Sequence, residues 1–349
     1  WDSETGEQIK NISLSSFNND YSHTRIRFQP NGNLLFLIND DVIQYFNWQN
    51  PDKISTYKDV TMYKLSGRTL LPWTDLMLEF TPNGRSFLYG GVDGIVYLDS
   101  FLGAEPKNDP FYGYEGVGSG LSLSADGTTL AATCLNENDE PVINLWSFPD
   151  LKFSGAVGLG QDDTRLRALL NYKAQFLPDG NLLFSGIGNE VRVYDREGLS
   201  KISKHIPNIG NGEIFSLSPN GKYLAARNSF DNEGELQIWD IEAGHLLGEL
   251  GLSEENKLEG MAFNCAAFSP VANTLAACVD DGFITFWNLE TFELIGGPIV
   301  SLSGNFDSLE YSHDGKILAS LGNAAVSLWD IETRFPIGVP MINSSVRVN

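Results

Sequence analysis

The sequence predicts an all-β fold assembled from seven repeated, four-stranded antiparallel units. Three observations predict it: a turn motif returning at a near-regular period, short apolar runs on either side of that turn, and an aromatic residue closing the third run of most units. The turns are Pro-Asn-Gly at 30–32, 82–84 and 219–221, Ala-Asp-Gly at 125–127, Pro-Asp-Gly at 178–180, Pro-Val-Ala at 270–272 and His-Asp-Gly at 313–315. Their last residues lie 52, 43, 53, 41, 51 and 43 positions apart.

The first strand of each unit is the alternating run before the turn, as in TRIRFQP, DLMLEFTP or CAAFSP. The second is the apolar run after it, such as NLLFLI, TLAATC or ILASL. Alternation and enrichment in Val, Ile, Phe, Tyr and Leu argue for strands over helices. Glycine at the turn supplies a positive φ without steric cost, and Asn or Asp before it tolerates the same geometry. The third strand ends on Tyr97-Leu98-Asp99, Leu145-Trp146, Tyr194-Asp195, Trp239-Asp240, Trp287-Asn288 and Trp329-Asp330, with only the first repeat blurred, at IQYFNW. A weaker fourth strand follows (KISKHI, HLLGEL, ELIGGP). Such a unit cannot bury both faces alone. Packing units face to face around an axis solves this and leaves only short edges, so the architecture expected is a seven-bladed β-propeller spanning 1–349.

Residues 1–12, WDSETGEQIKNI, read as the end of a third strand and a whole fourth strand without the first two. They are expected to close the ring as the outermost strand of the blade formed by 305–330, leaving the tail at 336–342 displaced or paired elsewhere.

The third strands ending IWD, FWN and LWD, preceded by SPNGKYLA or SHDGKILAS, resemble the WD-repeat family of seven-bladed propellers over essentially the whole chain. That family often bonds a Gly-His histidine through a serine to the repeat's tryptophan. No repeat here has Gly-His at that point: Gly244-His245 falls after Trp239-Asp240. The serine recurs only as Ser185 and Ser320, and the turn acid only as Asp93 and Asp281, with Asn189 and Asn323 elsewhere. The expectation is a relay largely missing, with aromatic and aliphatic packing holding the blades and Trp239, Trp287 and Trp329 buried.

Composition narrows the function. Hydrophobic residues make up 42%, enough for a core, and the 35 glycines are scattered as many tight turns require. A net charge of −22 repels phosphate backbones, so a basic protein or peptide is the partner expected, not nucleic acid. No apolar run reaches a membrane span. Three cysteines, Cys134, Cys265 and Cys278, sit in apolar runs and read as small buried hydrophobes of a reduced, cytoplasmic protein. A segment of a larger protein is expected, whose other domains are further candidate partners.

Catalytic and metal chemistry find no footing. His23, His205, His245 and His313 share no ligand spacing, Gly221-Lys222 is followed by Tyr inside a repeat turn, and no nucleophile elbow is present. The run Asp231-Asn232-Glu233-Gly234-Glu235 lacks the spacing and closing bidentate Glu of a calcium loop. No cofactor and no metal are expected, and the protein reads as non-enzymatic. The rival reading is a small-molecule hydrolase or lactonase working at the channel mouth.

Variation in length points to a binding face. The long intervals gain residues at 49–75, 147–171 and 241–262, between the third strand of one repeat and the first of the next. In the WD-repeat arrangement these loops share a face with the second-to-third-strand loops, of which 136–140 and 229–235 are expanded and acidic. Variable loops on a rigid scaffold carry function. The rim so predicted combines Glu137, Asp139, Glu140, Asp231, Glu233, Glu235, Glu254 and Glu255 with Tyr57, Tyr63, Trp73, Phe111, Tyr112, Tyr114 and Phe230. Aromatics among polar groups are the make-up of an interface hot spot.

Overall fold

The computed structural model describes residues 25–39, 42–48, 54–59, 77–90, 95–100, 111–112, 120–135, 141–158, 173–186, 190–195, 202–207, 209, 214–227, 235–251, 261–300, 305–322, 325–337 and 341–342. These form seven four-stranded antiparallel sheets, each built from consecutive strands in sequence order. Sheet 1 runs β1 (Arg25–Phe28), β2 (Leu34–Asn39), β3 (Val42–Asn47), β4 (Ile54–Asp59), and sheet 2 β5 (Met77–Phe80), β6 (Ser86–Gly90), β7 (Ile95–Ser100), β8 (Phe111–Tyr112). Sheet 3 holds β9 (Gly120–Leu123), β10 (Thr129–Leu135), β11 (Pro141–Ser147), β12 (Lys152–Gly158). Sheet 4 holds β13 (Lys173–Phe176), β14 (Leu182–Gly186), β15 (Glu190–Tyr194), β16 (Ile202–Pro207). Sheet 5 holds β17 (Ile214–Leu217), β18 (Tyr223–Arg227), β19 (Leu236–Asp240), β20 (His245–Leu250). Sheet 6 holds β21 (Phe263–Phe268), β22 (Thr274–Val279), β23 (Phe283–Asn288), β24 (Ile299–Val300), and sheet 7 β25 (Ser308–Tyr311), β26 (Ile317–Gly322), β27 (Ala325–Asp330), β28 (Met341–Ile342). The chain is a β-propeller of small sheets, as the repeat period predicts.

Two compact units divide the chain: one carries sheets 5, 6, 7 and 1, the other sheets 2, 3 and 4. In the first unit each sheet buries its face against the next. Leu236, Ile238 and Leu250 of sheet 5 meet Phe263, Leu275 and Trp287 of sheet 6. Cys265, Ile284 and Phe286 of sheet 6 meet Leu309, Tyr311 and Trp329 of sheet 7. Ile317, Leu321 and Val326 of sheet 7 meet Ile26, Leu35 and Phe46 of sheet 1, so the last repeat packs on the first. In the second unit, Leu88 meets Leu123 and Trp146, while Ala131 and Ile143 meet Leu182 and Tyr194.

In sheets 2, 3, 5 and 7 the connection between first and second strands is one hydrogen-bonded motif, Ser/Thr-x-Asx-Gly. Ser124 Oγ donates to Asp126 Oδ1 at 2.7 Å and accepts from Thr129 N at 2.9 Å. Ser218 repeats this with Asn220 and Tyr223 N, Ser312 with Asp314 and Ile317 N, and Thr81 with Asn83 and Ser86 N. Ser312's hydroxyl, then the Lys316 N–H, hold the Asp314 carboxyl below its usual range. Gly127 at φ 68° and Gly221 at φ 71° are left-handed, whereas in sheet 1 the left-handed residue is Asn31 at φ 55°, one place earlier in the turn.

The tryptophans are buried as expected: Trp239 is 8%, Trp287 2% and Trp329 7% exposed. The expected loss of the relay is corrected in part, because each indole has an acceptor. Trp329 Nε1 donates to Ser320 Oγ at 2.8 Å, from the serine position on the second strand. Trp287 donates to Thr285 Oγ1 at 2.9 Å and Trp239 to Gln237 Oε1 at 3.1 Å. Those two acceptors lie two residues upstream on the same strand, hence on the same face. Thr285 passes the bond on to Ala277 O at 3.1 Å. The turn acid also shifts by one. Asp280, not Asp281, accepts from Ala262 N and Asn264 Nδ2, both at 2.9 Å, while Asp281 takes the left-handed turn at φ 61°.

Two expectations are overturned. The outer strand of sheet 7 comes from the tail: Met341 and Ile342 pair with Val326 and Ala325, Pro336 bridges Trp329, and Ile337 N donates to Leu328 O at 2.7 Å. The reason is a second copy of a pattern. FPIGVPMI at 335–342 repeats ELIGGPIV at 293–300, the outer segment of sheet 6, so the last repeat supplies its own fourth strand. Residues 1–12 lie outside the described residues. Secondly, Cys265 and Cys278 are buried but not independent. They face each other across β21 and β22 with Cα atoms 5.1 Å apart and are joined as a disulfide.

Neighbouring sheets of the first unit are also tied by side chains on strained backbone. Phe292 and Arg334 hold φ of 59° and 60° at equivalent places in the turn between third and fourth strands. Left-handed backbone is uncommon outside glycine, so the side chains must return something. The Phe292 ring lies against Gly248 of β20, where a Cβ would sit 3.0 Å from it and push it outward. Arg334 donates to Gly297 O at 2.7 Å and stacks 4.6 Å from the Phe286 ring. At the inner strands, Arg27 of β1 pairs with Glu310 of β25 at 3.1 Å.

Trp287→Ala is expected to destabilise by about 3–5 kcal/mol in denaturant titration, the range for truncating a large buried aromatic. Burial pushes the Glu310 carboxyl up, and Arg27 works against this. Without the guanidinium its folded-state value rises further, so its favourable contribution is present at low pH and lost as pH rises. Arg27→Met should therefore cost roughly 1 kcal/mol at neutral pH, since the pair is part-exposed and screened, and less below the glutamate range. Denaturant titrations at both pH values check the sign, and Arg27→Met/Glu310→Gln should restore part of the loss.

Candidate functional site

In sheets 3 and 5 the second strand ends where a long acidic connection begins, and the ordered turn motif sits at its other end. In sheet 5 both stems of that connection are anchored. Arg227, closing β18, donates from Nη1 to Phe263 O of sheet 6 at 3.2 Å. Glu235, at the start of β19, is exposed but not isolated. Its carboxyl is pushed up, first by a hydrogen bond with the Glu249 carboxyl and then by burial and by repulsion from Glu249. Glu249 Oε1 in turn accepts from Gln237 Nε2 at 2.7 Å, and Gln237 accepts from the Trp239 indole. Residues 235, 237 and 239 alternate onto one face of the strand, so this chain of bonds runs from the insert's stem into the blade core. Glu249 and Gln237 escaped sequence reasoning because their role depends on the β19–β20 register, which pairs them directly.

Of the residues predicted for the rim, Trp73, Tyr114, Glu137, Asp139, Glu140, Phe230, Asp231 and Glu233 lie outside the described residues, as do Tyr63, Glu254 and Glu255. Phe111 and Tyr112 are corrected: they form β8, the outer strand of sheet 2, pairing with Val96 and Ile95. Two adjacent aromatics beside an Ile-Val pair have the composition of a ladder rather than of a loop. Tyr57 likewise lies within β4. The structure thus brings Glu235 together with Glu249, and places Phe111, Tyr112 and Tyr57 on outer strands.

A second cluster lies on sheet 4. The Glu190 carboxylate meets both Arg192 and His205, which face each other across β15 and β16. Burial pushes the Tyr194 hydroxyl up while Arg192 opposes it. Glu190, Arg192 and Tyr194 occupy the same alternating positions as Glu235, Gln237 and Trp239, so the cluster is a repeat-position analogue, tying an aromatic to polar partners. Among the described residues, no group of three or more His, Cys, Asp or Glu is arranged to hold a metal ion.

The comparisons with known proteins agree with this geometry. Residues 255–288, which contain all of β21, β22 and β23, match the family described as WD domain, G-beta repeat. A pre-mRNA-splicing factor, PRP46 of Debaryomyces hansenii, is 27% identical over 110 residues, covering 30% of this chain and 25% of that protein. The chain thus matches about a quarter of the curated relative's length. A crystal structure of a mitotic checkpoint complex contains a chain of the same fold, with a TM-score of 0.68 at 14% identity, over 93% of this chain and 91% of the other. The class defined is a β-propeller. Its particular form here is a propeller carrying a WD40 repeat in sheet 6, the sheet with the Asp280 tie and the Trp287–Thr285 bond.

If the Glu235–Glu249 pair is what lifts the Glu235 carboxyl, Glu249→Gln should return its titration midpoint toward the ordinary glutamate value. Carboxyl-carbon NMR titration measures this directly, and an unmoved midpoint would exclude the pair as the cause.

Proposed function

We propose that the protein is a non-enzymatic scaffold or sensor module that binds a basic protein or peptide through its acidic, loop-rich rim. The observation that carries this reading is the asymmetry between the two ends of the second strands. At one end the connections stay short and the Ser/Thr-x-Asx-Gly motif recurs in four sheets, while at the other the connections expand and become acidic at 136–140 and 229–235. A scaffold that fixes one set of turns and releases the other resembles the division between support and binding loops. The WD40 match and the similar chain within a checkpoint complex support a protein-binding role.

In this reading Asp231, Glu233 and Glu235, and likewise Glu137, Asp139 and Glu140, steer the partner, while Trp73, Tyr114 and Phe230 anchor it. Phe111 and Tyr112, on β8, remain among the anchoring residues of this reading. Exposed charge pairs are individually worth little, so the acids govern association rate and the aromatics dissociation. A net charge of −22 adds a field that draws cations in.

The test begins with affinity isolation of the partner from the native source, followed by binding kinetics at low and high salt. Asp231→Lys/Glu233→Lys/Glu235→Lys should slow association roughly tenfold at low salt and much less at high salt. Trp73→Ala should mainly speed dissociation. An association rate and salt dependence unchanged by the triple reversal would rule out this rim.

A further inference from the structure

The outer strands of sheets 5, 6 and 7 expose apolar side chains where a soluble surface gains nothing from them. Leu247 is 36%, Val300 53%, Phe335 72% and Ile337 41% exposed. The positions are related. Leu246, Leu294 and Pro336 each lie opposite the repeat tryptophan, so Leu247, Ile295 and Ile337 follow it at one equivalent place on three successive sheets. Phe335 stands two residues before Ile337, on the same side of an extended segment. The turn residues link the sheets. Phe292 rests on Gly248 beside Leu247, and Arg334 grips Gly297 in the segment leading to Val300. These positions make a discontinuous band on the outer segments of one compact unit. Leu247, Phe335 and Ile337 lie near the tryptophan ends, Ile295 is half-buried, and Val300 lies farther along sheet 6, opposite Phe283.

The outer segments themselves are acidic, while Lys204, bonded to Glu242 O, and Lys222 and Lys316 stand on the strands and turns beside them. Glu242, Glu249, Glu290, Glu293 and Glu332 are exposed on these outer strands and the turns leading into them. Residues 241–250, 289–300 and 331–342 contain no lysine and a single arginine, Arg334, which is engaged with Gly297 and Phe286. A second copy of this chain would bring the same carboxylates and the same net charge of −22 to the contact, so self-association is opposed. Exposed apolar groups rimmed by charge mark a contact surface, and the sign of the rim selects the partner.

We propose that this outer-strand band is a second docking surface, distinct from the loop-rich rim, for an amphipathic segment of a basic protein. Aliphatic or aromatic side chains of the segment seat against Phe335, Ile337, Val300 and Leu247. Its flanking lysines or arginines meet Glu290, Glu293 and Glu332. The apolar anchors set the lifetime of the complex, and the glutamates set its approach and register.

The probe is a phage-displayed library of random linear peptides, selected on the intact chain. Peptides that survive are then measured by fluorescence anisotropy. The expected result is enrichment of sequences with an aromatic or aliphatic pair flanked by Lys or Arg. Their affinity should fall about tenfold or more on Phe335→Asp/Ile337→Asp, with an unchanged melting curve because both side chains are exposed. Glu290→Lys/Glu293→Lys should slow their association at low salt. The proposal is overturned if selected peptides bind the Phe335→Asp/Ile337→Asp variant as well as the original, or if they lack basic residues. It is also overturned if the original chain dimerises and that variant does not, since the band would then serve self-association. Peptides that depend on Asp231 and Glu233 instead would overturn the band while leaving the loop-rich rim standing.

Discussion

A small antiparallel sheet with apolar side chains on both faces cannot be stable alone, and everything else in this molecule follows from that. Leu275 and Ala277 point to one side of β22, Ala276 and Cys278 to the other, and all four are fully buried. Each sheet therefore needs a neighbour on both sides. A repeat of the same sequence pattern is the simplest source of such neighbours. The packing of sheet 7 on sheet 1 gives the last repeat a partner in the first.

Burial on both faces makes polar accounting strict. The indole N–H groups of Trp239, Trp287 and Trp329 each find an acceptor, supplied by a different residue type in each repeat, whereas the buried Trp48 Nε1 has none among the described residues. Ser320 supplies it across strands to Trp329, whereas Thr285 and Gln237 supply it along the strand. The same tolerance explains how Asp280 does the work of tying its turn to Ala262 and Asn264. Without a Gly-His pair before the first strand, these three tryptophans and this turn are still satisfied.

Local features were legible in the sequence: the turns, whose chemistry lies within four or five residues, the strand alternation, and the burial of Trp239, Trp287 and Trp329. Features set by register were not. Whether Cys265 meets Cys278, or Glu249 meets Gln237, is fixed by how two strands align, and a one-residue slip would separate either pair. Phe111 and Tyr112 were read as loop residues because a two-residue strand leaves almost no alternation to detect. The tail was readable after all. Its Ile-Gly-x-Pro core copies that of sheet 6, but the pattern of a broken outer strand is weaker than that of a tryptophan-ended third strand.

The left-handed turn residues have a further implication for how such a chain grows. Phe292 and Arg334 each reach back to a glycine of the preceding repeat, so a repeat of this kind holds both a hook for the unit before it and an eye for the unit after it. Duplicating or removing one whole repeat keeps hooks and eyes matched, whereas a cut inside a repeat strands a bulky side chain on strained backbone with nothing to grip. The scaffold's length is therefore quantised in whole repeats, and the freedom to vary within a repeat falls to the connections that carry no hook.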